Sequence, residues 1–190
     1  MDTDEELLTR SLRDPVAFEP LVARHSPALH GFLARRAPAA ADDLLSETWL
    51  HAFRSRTTFD PALGTARGWL FGVARLVVAG HWRDVARDQG VPSRIENSTD
   101  PWHAVDQRLD AAAVAPLIRR VLAAMPEAER QLLLLVIWDQ LTPAEAATAA
   151  GIPPGTARSR LHRARQRLRA ALGADQETGT TAELTAGDLT

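Results

Sequence analysis

Cysteine is absent from the 190-residue chain, which excludes disulfides, thiolate metal sites and cysteine nucleophiles. Lysine and tyrosine are absent as well. Every permanent side-chain cation is therefore Arg, the residue suited to bidentate phosphate and base contacts, although an all-Arg chain also follows from a GC-rich genome. Aromatic residues make up only 5%, and β-branched residues are sparse beside Ala and Leu, a balance that favours helices over strands. The longest apolar run, residues 132–138, is far too short to span a membrane. The opening residues MDTDEE are acidic, unlike the basic and apolar stretches of a signal peptide. A soluble, cytoplasmic protein is expected.

What is present is unevenly placed. The net charge is only −2, yet residues 154–172 carry six Arg and no acid. Residues 173–190 carry four acids and no base, and residues 88–110 carry five acids and two Arg. A basic helix between acidic stretches points to a focused anion-binding surface.

The apolar spacing divides the chain. Residues 1–87 read as one helical domain and residues 105–172 as a second. Residues 88–104 hold Gly, two Pro, Asn, Ser and Thr with no apolar period, so they read as a flexible acidic linker. Residues 173–190 read as a disordered acidic tail. The expected fold is all-α, with two small helical domains oriented independently and the C-terminal one a helix-turn-helix. In the first domain, helices are expected over residues 17–36, from Ala41, and from Trp69 to Arg87, with 54–68 a loop. The Ala37-Pro38 step ends the first of these.

The second domain holds the most specific pattern. Pro126 opens a helix through Trp138. Thr142-Pro143-Ala144-Glu145 reads as a capping box with Pro at the first helical position. Gly151 suits the tight turn, and Pro154 starts a long basic helix. Two helices about such a turn, the second basic, form a helix-turn-helix signature. On the last helix, Ala157, Leu161, Ala164, Leu168 and Ala171 share a stripe roughly 80° wide. Thr156, Ser159, Arg160, Arg163 and Gln166 point away from it, with Arg158, Arg165 and Arg169 along one edge. Ser159, Arg160 and Arg163 are placed to reach base edges in a major groove, and the flanking Arg residues to meet phosphates.

Residues 139–165, DQLTPAEAATAAGIPPGTARSRLHRAR, resemble the fourth region of the sigma-70 family of transcription initiation factors, in the extracytoplasmic-function (ECF) group. Residues 41–54, ADDLLSETWLHAFR, resemble the second region, and residues 58–75, TFDPALGTARGWLFGVAR, its promoter-opening part. The resemblance covers about 5–87 and 105–172. It implies a non-enzymatic factor that binds core RNA polymerase and directs initiation at specific promoters. The implied polymerase surface is Asp42, Asp43, Leu44, Glu47 and Trp49. The double-stranded −35 element falls to Thr156, Arg158, Ser159, Arg160, Arg163 and Arg165. The single-stranded −10 element falls to Arg54, Arg56, Thr58, Phe59, Arg75 and Arg83, where Arg serves the backbone and Phe59 stacks or, alternatively, fills the core. An anti-sigma factor is a candidate further partner. Leu76, Gly80 and Asp84 depart from the pattern in the −10 region, and Gln140 stands where the family has a turn Gly.

No cofactor or metal is expected. Asp43 and Glu47 form an i,i+4 carboxylate pair that reads as a solvated face. The six His, at 25, 30, 51, 81, 103 and 162, are scattered and make no HExxH motif; His25 and His30 are expected at the surface or as caps. The alternative is a helix-turn-helix regulator that does not itself initiate. A response regulator would need βα alternation at its N-terminus, which the sequence does not have.

Overall fold

The computed structural model describes residues 2–89 and 115–186, residue 115 and the span 174–186 by backbone alone. The described residues hold eight α-helices and no strand. Helix α1 (Asp4–Ser11) opens on a capping box: Glu6 N–H donates to Thr3 Oγ1 at 3.2 Å and Thr3 N–H to Glu6 Oε2 at 2.8 Å. Helix α2 (Glu19–Ala34) runs on through Pro27. Its chain then turns at Pro38–Ala40, as the Ala37-Pro38 step predicts, and α3 (Ala41–Ser55) follows with Asp42 and Asp43 in its first turn. Helix α4 (Ala66–Asp88) starts under a Thr65 cap, three residues before the expected start.

The four helices close over Leu21, Leu29, Phe32, Leu33, Leu70, Phe71 and Val78, all almost wholly buried. Phe32 and Phe71 meet edge to face at 5.4 Å, and Phe18 meets Trp49 and Phe53 in the same way.

The second unit is α5 (Ala115–Ala124), α6 (Glu127–Ile137), α7 (Pro143–Ala150) and α8 (Pro154–Ala186). The Thr142–Glu145 capping box forms with both of its bonds. Gly151 takes φ 65° at the turn, and Gln140 takes φ 53°. Glycine reaches that left-handed region freely, whereas Gln there costs about 1 kcal/mol. Beyond Leu172, where the sequence reading ends the domain and begins a disordered tail, the backbone of α8 stays helical to Ala186; residues 155–186 contain no Pro to stop it. The expected linker, residues 88–104, lies outside the described residues but for Asp88 and Gln89 at the end of α4.

The two units are not independently oriented, contrary to expectation. Leu132, Leu135, Leu141, Ala146, Ala147, Ala149, Ala157 and Leu161 join the same buried cluster as the N-terminal core. Helix α7 lies across the start of α4 so closely that a Cβ on Gly68 would stand 2.9 Å from the Glu145 carbonyl oxygen. One on Gly64 would stand 2.1 Å from Thr148 Oγ1. The two glycines, read from sequence as loop signals, are what this approach requires.

Polar bonds complete the junction. Asp139, just beyond α6, has a fully buried carboxylate held by Arg35 and, at 2.9 Å, by Arg36. Arg67 donates to Glu145 Oε2 at 3.2 Å and to the Gln140 and Asp139 carbonyls. Arg75 Nε donates to the Ala149 carbonyl at 3.2 Å.

Candidate nucleic-acid and polymerase interfaces

Helix α8 is fixed by its inner stripe. Ala157 and Ala164 are wholly buried and Leu161 nearly so, while Leu168 and Ala171 are half-buried. Arg158, Ser159, Arg163 and Arg165 are exposed. The Ser159 hydroxyl donates to the Thr156 carbonyl at 3.0 Å, and Thr156 is half-buried. Arg160 departs from the expected outward face. It is half-buried and lines a cleft of about 360 Å³ with Arg75, Glu127 and Gln131, because the N-terminal unit packs against that side.

Glu129, on α6, was not singled out by the sequence. It is buried, and its two oxygens accept from Arg163 Nε at 2.8 Å and Arg167 Nε at 3.2 Å. The Arg163 hydrogen bond leads in holding its carboxyl below the usual range, against the opposing effect of burial.

The expected −10 residues separate into two groups. Arg54 and Thr58 are exposed, and Arg83 is exposed with Nε donating to Ala79 of its own helix. Phe59 is half-buried against the core, its ring 5.8 Å from Trp69; of the two roles left open for it, packing is the one that forms here. Arg56 is occupied: it donates to the Ser11 and Phe53 carbonyls and stacks 3.8 Å over the Phe53 ring. It staples the end of α3 to α1, a long-range partnership that its neighbours in sequence do not reveal. Arg75, expected to be a phosphate partner, is half-buried on Ala149, and burial lowers its pKa. A cleft of about 460 Å³ opens between Phe59, Leu63 and Trp69 on one side and Ile152, Pro153 and Pro154 on the other.

On α3, Asp42, Asp43 and Glu47 are exposed. Leu44 is 3% exposed within the core, so it supports that surface from beneath and cannot touch a partner. Trp49 packs on Phe18 and donates its indole N–H to Ser26 Oγ at 3.1 Å. Leu50, not singled out by the sequence, is 56% exposed. Asp43, Glu47, Leu50 and Arg54 fall at i, i+4, i+7 and i+11 and share one face of the helix. That spacing was visible in the sequence, but apolar residues at such spacing are ordinarily assigned inward.

His25, expected at the surface or as a cap, is 7% exposed and bonds Asp4 at 2.6 Å. Burial alone would raise the Asp4 carboxyl, but hydrogen bonds from Arg24 and His25 outweigh it and lower the pKa. His30 pairs with Asp42 at 3.1 Å in the open. Among the described residues, no cluster of His and carboxylates could hold a metal ion, and no helix is long and apolar enough to cross a membrane.

The sigma-70 region 2 family matches residues 21–88, and sigma-70 region 4 matches residues 116–168. RNA polymerase sigma factor CarQ of Myxococcus xanthus is 35% identical over 163 residues, covering 83% of this chain and 90% of the relative. The chain belongs to the sigma-70 family, in its ECF group. ECF RNA polymerase sigma factor SigF of Caulobacter vibrioides is 33% identical over 174 residues, covering 88% of the chain and 94% of SigF. Among solved structures, CnrH in complex with the cytosolic domain of CnrY has a TM-score of 0.59 at 26% identity, covering 92% of this chain and 99% of CnrH. The sigma factor RpoE of Bartonella quintana, solved with the anti-sigma factor NepR, shares the fold at a TM-score of 0.54 and 22% identity, covering 83% of this chain and 98% of that one. The protein is thus a sigma factor, one that directs transcription initiation. The region 2 match falls on α2–α4 and the region 4 match on α5–α8 as far as residue 168; the units that contain them are called region 2 and region 4.

Proposed function

We propose that this sigma factor docks on core RNA polymerase through the exposed α3 face, Asp42, Asp43, Glu47 and Leu50, and reads a −35 element with α8. The observation that carries the reading is the Arg-bearing outer face of α8, held rigidly by its apolar stripe behind a capped turn. Arg158, Arg163 and Arg165 approach the duplex, Arg163 toward base edges and the others toward phosphates. Thr156, Ser159 and Arg160 lie at the entry to the groove. Arg54, Thr58, Phe59 and Arg83 serve the opened −10 strand, and Arg75 joins them only once α7 has moved off it. The protein works in the cytoplasm, carries no catalytic residue of its own, and leaves RNA synthesis to the polymerase.

The packing of region 4 on region 2 covers part of the −10 face, so the two units separate when the factor enters the polymerase. The complex of CnrH with the cytosolic domain of CnrY supports a protein inhibitor as a further partner, one that would favour such a packed arrangement. Run-off transcription tests the reading. Core polymerase with this chain should initiate at promoters that core alone ignores. Promoter binding without transcript would instead favour a regulator that does not initiate.

A further inference from the structure

Arg163 and Arg167 stand one turn apart on α8, each about half exposed, and both lean on one carboxylate from another helix. Glu129 supplies one oxygen to each, and it is itself buried at the start of α6. Both bonds are made by Nε. A guanidinium held at Nε has its side-chain torsions fixed and its plane set, while its two terminal nitrogens stay available. Among the described residues, those terminal nitrogens have no hydrogen-bond partner. The bond from Arg163 keeps the Glu129 carboxyl below its usual range, so it is ionised wherever the protein is folded near neutral pH.

We propose that Glu129 is a positioning residue for promoter recognition: it aims the guanidinium of Arg163 at the base edges and that of Arg167 at the adjoining phosphate. The inference rests on the assignment of α8 to the −35 element and deepens it. Arg is long, and ordering it on binding costs affinity, roughly twofold to tenfold for each immobilised side chain. A carboxylate that orders two of them beforehand removes that cost from the bound state. It also has an opposite effect, because a negative charge near DNA repels phosphates and lowers binding to any sequence. The two effects separate cleanly. Positioning acts on the cognate sequence, where Arg163 must meet a particular base, whereas repulsion acts on every duplex alike. An α6–α8 brace with no part in recognition would change neither selectively.

The test uses holoenzyme assembled from core polymerase and the full chain. The probes are a −35 duplex selected by the wild-type holoenzyme from a randomised pool and a scrambled duplex of the same composition. Glu129→Gln keeps the shape and an acceptor oxygen, so the helices stay packed. We expect its affinity for the selected duplex to fall about fivefold to fiftyfold, with affinity for the scrambled duplex unchanged or raised. Glu129→Asp should restore part of the discrimination. Arg167→Gln should weaken both duplexes together and lower the salt slope by about one charge. Should Glu129→Gln fail to fold, Glu129→Asp decides the question by the same ratio: intermediate discrimination supports the positioning role, and unchanged discrimination or an equal loss on both duplexes overturns it. Unchanged discrimination in Glu129→Gln, or an equal loss on both duplexes, overturns the positioning role while leaving the −35 assignment intact. Failure of the wild-type holoenzyme to select any sequence overturns both.

Discussion

Replacing Asp139 by Ala should open the junction between regions 2 and 4. Its carboxylate is wholly buried, and the Arg35 and Arg36 side chains that hold it are only 17% and 10% exposed. Burial pulls the Arg36 pKa down, and Asp139 opposes that pull. Without the carboxylate, two like charges would sit side by side out of water. Removing one partner of a buried pair costs about 3–5 kcal/mol, and here the strain is relieved if the units part and both guanidinia hydrate. Inverting a 99:1 closed population takes about 5.5 kcal/mol. Equality takes half of that, about 2.7 kcal/mol, so Asp139→Ala alone should make the open form the majority. Adding Arg67→Ala, which strips the bonds to Glu145 and two carbonyls, should complete the opening. The absence of native Cys permits donor and acceptor dyes on Ser46→Cys and His162→Cys, both exposed. Energy transfer should fall in the order wild type, single variant, double variant, while helicity stays constant. Equal transfer in all three would show that Asp139 does not hold the junction.

Arg163→Ala should weaken holoenzyme binding to a −35 duplex by about 1–3 kcal/mol with polymerase binding unchanged; unaltered affinity at fixed salt refutes the base contact. Asp43→Arg with Glu47→Arg, both exposed, should abolish co-purification with core polymerase while the free protein keeps its helicity, and retained co-purification removes α3 from the docking surface. Thr142→Ala deletes the α7 cap and should lower stability by about 1 kcal/mol in chemical denaturation; a loss below a few tenths would mean that packing alone holds the helix. Asp4 and Glu129 have folded pKa values below their unfolded ones. Their stabilisation is complete above the unfolded carboxylate range, about pH 4–5, and disappears as pH falls through the folded values. Melting temperature should decline below that range, and less steeply in Glu129→Gln; identical slopes would deny Glu129 its share.

Local signals were legible in the sequence. The Thr142–Glu145 capping box, the Gly151 turn, the buried stripe of α8 and the start of α3 all depend on residues a few positions apart, and all form as their spacing implies. Gln140 takes the left-handed conformation expected of the turn Gly that the family has at its place. The misassigned residues are those whose fate is decided by distant partners. Leu44 sits among acids in sequence yet faces the core. Arg56 looks like a backbone-binding Arg until its carbonyl partners on other turns are known. His25 is buried because Asp4, 21 residues away, stands beside it. Nothing near Asp139 forecasts Arg35 and Arg36, more than 100 residues earlier.

The junction between the regions makes the same point about Arg chemistry. The last carbonyls of a helix have no partner within it and carry partial negative charge. Arg67 reaches the carbonyls of Asp139 and Gln140 just beyond α6, and Arg75 reaches that of Ala149 at the end of α7. Region 2 thus presents to region 4 the kind of donor it would present to DNA, and the helix ends of region 4 answer with the kind of acceptor a phosphate offers. Arg75 cannot serve both at once. An Arg selected to bind phosphate suits a helix C-terminus equally well, because both ask for N–H groups in a planar fork beside diffuse negative charge. That equivalence is why the sequence alone could not divide its Arg residues between nucleic acid and the protein's own backbone. If Arg75 has the −10 role proposed for it, closure and promoter opening compete for the same side chain, and strengthening one weakens the other.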